Sequence, residues 1–328
     1  MISRRRLVRA SVLGTVLGPL ALQPVVAQAV AYPNKPVRML VGFAAGGATD
    51  LFARLVAQKL SERLGQQFVV ENRPGAGGTI AGAAVARAPA DGYTLGVISA
   101  SHAIGATLYR SLPYDTLGDF VPVGTIATAT NVLVVHPSMP VNSVAEYIAL
   151  AKSKPGTINL ASAGTGSSSH LAGELFKSMA GINVLHVPYK GTGEALRDLI
   201  SGQVESTVDA VSALLPHINS GALKALGVGD PRRMPKLPNV PTISEAGVPG
   251  YAVFAWVGLV APTGTPDNIV QKLNAELATL LKSPDAEKKI DDLGARPYIS
   301  SAEEFGNLIK AEVPKFARII QSAGIPLQ

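Results

Sequence analysis

The sequence predicts an α/β protein in which one construction occurs twice, giving two doubly wound α/β domains joined by crossing strands. Three observations carry this prediction. Apolar and β-branched runs alternate with stretches of helical spacing along most of the 328 residues, the pattern of a mainly parallel sheet covered on both faces. Strand, glycine turn and helix follow one another at residues 37–54 and again at residues 158–171. Between the two series lies VPVGTIATATNVLVVH, a long β-branched run without a helical period. An apolar content of 47% is enough for two cores of ordinary size.

In the first series, VRMLV leads into Gly46-Gly47 and then a helix with Leu51, Leu55 and Val56 on one face. A strand is expected over 67–70, a glycine-rich loop over 71–78, a small-residue helix over 79–87 and a strand over 93–99, with a short helix starting at Ser101-His102. The segment 119–136 reads as a pair of strands or as one strand leaving the first sheet. The second series follows: helix 143–153, strand 158–162, loop 163–169, a helix to residue 179, strand 184–188, helix 192–201 and strand 206–210. After a strand at 223–228 comes a proline- and charge-rich loop, 230–241, then a strand over 253–260 holding the single tryptophan, Trp256. Two amphipathic helices, 266–281 and 302–322, close the chain, and Pro314 is expected to kink or divide the second.

The two glycine loops are the candidate site. Glycine lets a bound group approach the backbone and tolerates positive φ, and a helix that begins there presents unpaired N–H groups and the positive end of its dipole. Each loop is therefore a candidate anion site. Ligands of open α/β sheets bind beyond the carboxyl ends of the strands, so two facing loops would suit an anion with two ends. Asp50, in the first turn of the first helix, either complements the dipole or holds the loop or a ligand donor. Its charge makes the backbone N–H groups of residues 45–48 better anion contacts than its side chain. Ser167, Ser168 and Ser169 open the second helix, as caps or as donors.

Charge and processing signals point to export. Four of the 29 basic residues, Arg4, Arg5, Arg6 and Arg9, precede residue 30, a stretch without acidic residues, so the remainder carries 25 basic against 23 acidic groups. A body so nearly neutral has no electrostatic footprint for nucleic acid. The arginines precede an apolar run, 12–22, and Ala27-Gln28-Ala29 supplies small residues for cleavage. Residues 1–29 are read as a removed leader cleaved near Ala29, with a periplasmic mature chain; SRRRLVR also has a twin-arginine look. The absence of cysteine excludes disulfides, thiolate metal ligands and a lipidated N-terminal cysteine.

Several chemistries lack their motifs. No two of His102, His136, His170, His186 and His217 stand in H-x-x-x-H spacing, so no metal site is expected. His170 follows the serines, but GTGSSSH lacks the closing glycine of a nucleophile elbow. No P-loop pattern occurs. An exported dinucleotide enzyme is the main rival, because strand, Gly46-Gly47, helix, strand and Glu71 outline half of such a site; the glycine spacing, however, is not G-x-G-x-x-G.

The motifs YPNKPVRMLVGFAAGGATDLFAR, VVENRPGAGGTIA, APADGYTL, LPYDTLGDFVPV, LVVHPS, INLASAGTGSSSHLAGELF, HVPYKGTGEALRDLISGQV, LPNVPTISEAG and WVGLVAPTGTP run through the chain after the leader. In this order the chain resembles the extracytoplasmic solute receptors of tripartite tricarboxylate transporters, the Bug family. The resemblance implies a two-lobed periplasmic-binding-protein-like fold that closes on a small organic carboxylate; with the motifs above missing, no catalytic residues, metal or cofactor are expected. It implies an inner-membrane permease as partner, and a monomer is expected. Domain 1 is expected to comprise residues 30–130 and 252–328, and domain 2 residues 131–251. Carried over by motif, the ligand-binding positions are Phe43, Ala45, Gly46, Gly47, Thr49 and Asp50 from the first loop and Thr165, Gly166, Ser167 and His170 from the second, with Tyr189 and Asp209 on the cleft wall. Use of the same receptor as a carboxylate sensor is the alternative to uptake.

Overall fold

The computed structural model describes residues 32–328; the leader and its cleavage point lie outside the described residues. No helix among the described residues is long and apolar enough to cross a membrane.

The first series forms β1 (Val37–Val41), α1 (Ala48–Leu64), β2 (Phe68–Asn72), α2 (Thr79–Ala86), β3 (Thr94–Ser99) and α3 (Ser101–Leu108). β1 lies between β2 and β3, parallel to both. α1 ends at Gly65, whose φ of 68° is a left-handed conformation that glycine adopts cheaply. The β-branched run is one strand, β4 (Phe120–Val135). A single strand of this length serves two sheets: it pairs antiparallel with β9 (Phe254–Pro262) from Phe120 to Thr130, and from Asn131 onward with the strands of the second half.

The second half comprises α4 (Val144–Ser153), β5 (Asn159–Ser162), α5 (Ser168–Ala180), β6 (Leu185–Pro188), α6 (Thr192–Ile200), β7 (Ser206–Ala210), α7 (Val211–Asn219) and β8 (Lys224–Val228). The sheet order is β2-β1-β3-β9-β4-β7-β5-β6, with β8 and β10 (Ala295–Pro297) also on β4. α8 (Asp267–Leu281), α9 (Pro284–Asp292) and α10 (Ala302–Ser322) return to the first half. Each half has apolar clusters on both faces of its sheet. Phe52, Leu60 and Leu273 contribute to one face of the first half and Ile104, Trp256 and Phe305 to the other; Tyr147 and Phe176 oppose Leu199 and Leu214 in the second.

Three differences from the sequence reading have local causes. α10 runs undivided through Pro314, because Phe305, Ile309, Phe316 and Ile320, on both sides of the proline, are buried along one face and packing outweighs one missing N–H. α7 follows β7 with no intervening turn residue and holds Pro216 in its interior, so it carries neither a start signal nor an unbroken pattern. α9 is strongly polar, with only Ala286 and Ile290 buried; its one signal was Ser283, whose hydroxyl accepts the Ala286 N–H, followed by Pro284.

Candidate functional site

Both glycine loops reach the same crevice, at the carboxyl ends of β1 and β5. It encloses about 30 Å³, room for about two waters. Its walls come from helix starts: Gly47, Ala48 and Thr49 at α1, Ser167 and Ser168 at α5, Thr192 at α6 and Ala210 at α7. Phe43, Ser99, Ala129, Asp209 and Trp256 complete much of the lining. Lysine, arginine and histidine are absent from it among the described residues. The donors this lining can offer an anion are therefore helix-start amides and hydroxyls, not ionised side chains.

The first loop is braced from behind by Asp50, which is 2% exposed. One carboxylate oxygen accepts from the Gly46 N–H and Arg54 Nε, both at 3.0 Å, and the other from Asn72 Nδ2 at 2.8 Å. Asn72 Nδ2 also donates to the Phe43 carbonyl at 2.9 Å. Burial would raise the Asp50 pKa, but Arg54, Asn72 and Gly46 together hold it below the usual carboxylate value. One amide expected to meet an anion is thus engaged elsewhere, since Gly46 donates to Asp50; the Ala44 N–H, just before the expected stretch, donates to the Lys190 carbonyl at 3.1 Å. Ala48 and Thr49, at the helix start where amides lack intrahelical acceptors, remain available.

The second loop is tied by neutral groups. Ser167 Oγ accepts the His170 N–H at 3.1 Å, Ser169 Oγ accepts the Ala163 N–H at 2.9 Å, and Ser162 Oγ accepts the Gly164 N–H at 3.1 Å. His170 Nδ1 accepts the Gly166 N–H at 3.3 Å. The His170 ring lies against His186, with centroids 4.3 Å apart. Burial pushes the His170 pKa down to about 4, with Lys177 adding to the effect.

Of the twelve positions carried over by motif, Phe43, Gly47, Thr49, Ser167 and Asp209 line the crevice. Ala45 and Gly46 are exposed and meet the second half, where a Cβ on Gly193 would overlap the Ala45 carbonyl oxygen. Thr165 and Gly166 lie against the first half: the Thr165 carbonyl accepts from Tyr109 Oη at 3.0 Å, and a Cβ on Gly77 would come within 2.8 Å of that same oxygen. Asp50 and His170 sit behind their loops as braces. Tyr189 turns aside, donating to Asp198 at 2.7 Å. Asp209 accepts from Thr192 Oγ1 and the Ala210 N–H, both at 2.7 Å, yet its burial still raises its pKa to about 6.

The chain matches the model of the tripartite tricarboxylate transporter family receptor over residues 52–325. It belongs to that receptor family. Protein BugT of Bordetella pertussis is 38% identical over 299 residues, covering 90% of this chain and 92% of its own. An R. palustris protein solved with adipate superposes with a TM-score of 0.88 at 41% identity, covering 90% of this chain and 99% of its own. MatC from Rhodopseudomonas palustris, solved with bound malate, gives 0.84 at 35% identity, over 88% and 100%. The described residues of this receptor thus form the two-lobed fold of periplasmic binding proteins of this type.

Sequence reasoning missed three parts of the receptor's crevice. Gly191, Thr192 and Gly193 form a third strand–glycine–helix junction, after β6, and pack against residues 44–47 of the first loop; the glycines flanking Thr192 were the available signal. Ala210 opens α7, the helix that carried no start signal. Trp256 is fully buried, edge-on to Phe305 at 5.3 Å, and its indole N–H has no partner among the described residues. The rival dinucleotide reading loses its acid: Glu71 is engaged by Arg38 at 2.6 and 2.9 Å.

Proposed function

We propose that this receptor captures a small organic carboxylate between its two lobes in the periplasm, closes over it, and presents the closed form to an inner-membrane permease, catalysing no reaction itself. The observation that carries this reading is the convergence of helix starts from both lobes on one crevice without a cationic side chain. Such a site holds carboxylate oxygens through backbone N–H donors, and hydrogen bonds to a charged group contribute about 1.5–3 kcal/mol each. Adipate and malate in the solved relatives support a dicarboxylate as the first class to test.

The moving bodies are residues 30–130 with 252–328, and residues 131–251. Their boundaries fall where β4 exchanges β9 for β7 and where the chain re-enters β9. The contacts between Ala44 and Lys190 and between Tyr109 and Thr165 belong to the closed form. Entry of a dicarboxylate parts these lobes and its capture rejoins them, so binding and hinge motion are one event. Residues 1–29 act as the export leader, and the receptor works as a monomer.

Calorimetry of the mature chain against mono-, di- and tricarboxylates, with NAD as control, tests the reading. Saturable binding of one acid class at one site is expected. Binding of NAD, or of none of the acids, would contradict it. Deleting the gene separates transport from sensing: acid uptake falls if the receptor feeds a permease, whereas a loss confined to the transcriptional response would contradict that role.

A further inference from the structure

Behind the second glycine loop, folding assembles a cluster that the sequence spacing did not announce. His170 and Glu174 stand four residues apart on α5 and so on one face; His186 comes from β6, the next strand. One ligand atom from each of the three lies within 4.8 Å of the other two. The H-x-x-x-H test fails here only because the second histidine comes from a neighbouring strand.

We propose that His170, Glu174 and His186 form a binding site for a late first-row divalent cation, with Zn²⁺ as the representative ion. Two imidazoles and one carboxylate are a ligand set that zinc accepts, with a fourth position for water. The rings are already held: Ser162 Oγ lies 2.6 Å from His186 Nε2, and the Gly166 N–H donates to His170 Nδ1. This leaves one nitrogen on each ring without a hydrogen-bond partner among the described residues. The Ser162 contact can orient the His186 ring as outer contacts do for metal-binding imidazoles, whereas the Gly166 contact must break when His170 binds a cation. Without the ion, Lys177 Nζ lies 2.8 Å from the Glu174 carboxylate and supplies the positive charge that the metal would replace.

The site also touches the loop. With Nδ1 accepting from Gly166, the proton of the neutral His170 ring sits on Nε2. A cation at Nε2 sends that proton to Nδ1, and a cation at Nδ1 displaces the Gly166 N–H directly. Occupancy and this hydrogen bond therefore exclude each other.

The test is titration of the untagged mature chain with Zn²⁺ by calorimetry and with Co²⁺ by visible absorption, in the wild type and in His186→Asn, Glu174→Gln and Lys177→Met. The expected result is one Zn²⁺ per chain and a Co²⁺ band, both weakened at least about 10-fold in His186→Asn and Glu174→Gln, with tighter binding in Lys177→Met. Circular dichroism identifies variants that remain folded, and either of the two half-buried ligand positions suffices if the other variant unfolds. Absence of saturable Zn²⁺ binding in the wild type, or equal affinity in the folded ligand variants, would overturn the proposal.

Discussion

The first glycine loop is braced by an ionised carboxylate, the second by hydroxyls and an imidazole. The loops are alike in that both braces point the loop amides and leave the first two amides of the following helix unengaged, although Ser167 Oγ caps the third at α5 and no side chain caps α1. They differ in the field behind them. Asp50, paired with Arg54, places a buried negative charge next to Thr49, in the same first turn of α1, whereas the groups around Ser167 are uncharged at neutral pH. A carboxylate end should therefore rest more firmly on the second loop, and the first should contribute chiefly by closing over the ligand. On this reading a similar glycine turn serves as anchor or as lid according to the charge that holds it.

The most damaging change expected is at the contact between lobes. Gly193→Ala is predicted to weaken carboxylate binding about 10- to 100-fold, because overpacking costs about 1–3 kcal/mol and the new methyl meets the Ala45 carbonyl only when the lobes are closed. Calorimetry reads the loss, and thermal melting without ligand should show no comparable destabilisation. Asp50→Asn is next. It removes the charge that gathers Gly46, Arg54 and Asn72, and a fall in unfolding free energy of about 1–3 kcal/mol is expected by denaturant titration. Ser167→Ala should cost about 1 kcal/mol, the usual value of an N-cap hydroxyl. Equal losses in these last two variants would remove the distinction between a charged and a neutral brace.

The smallest predicted effect is that of pH. Asp209 has its pKa raised by burial to about 6, so the folded chain holds this proton more tightly than the unfolded chain does. The stability this contributes is complete below the ordinary carboxylate pKa and is lost as pH rises through about 6. Protonation also removes a negative charge from the crevice, so carboxylate affinity should increase as pH falls from about 7.5 to 5.5. Asp209→Asn should flatten that dependence, and affinity profiles of the two proteins across this range check it.

Much of the fold was legible because its signals are local. Gly46-Gly47 and the serines after Gly166 mark helix starts by residue type, and the β-branched run of β4 excludes a helix. The crevice was legible only in part, because its remaining walls depend on long-range placement. Thr192 reaches Asp209 only after β7 has been laid beside β5, and Trp256 lines the crevice because β9 runs antiparallel to β4 with Trp256 opposite Thr128. Asp50 was readable as a first-turn acid, but its bonds to Asn72 required β2 to lie beside β1. His170 and His186 were visible as residues and invisible as a pair for the same reason.

The most direct measurement is a crystal structure of the mature chain with a dicarboxylate that calorimetry has shown to bind. One ligand is expected between the lobes, with carboxylate oxygens within hydrogen-bond distance of first-turn amides at Ala48 or Thr49 and at Ser168 or Ser169. A ligand held by only one lobe, or by lysine and arginine side chains outside the crevice, would contradict it.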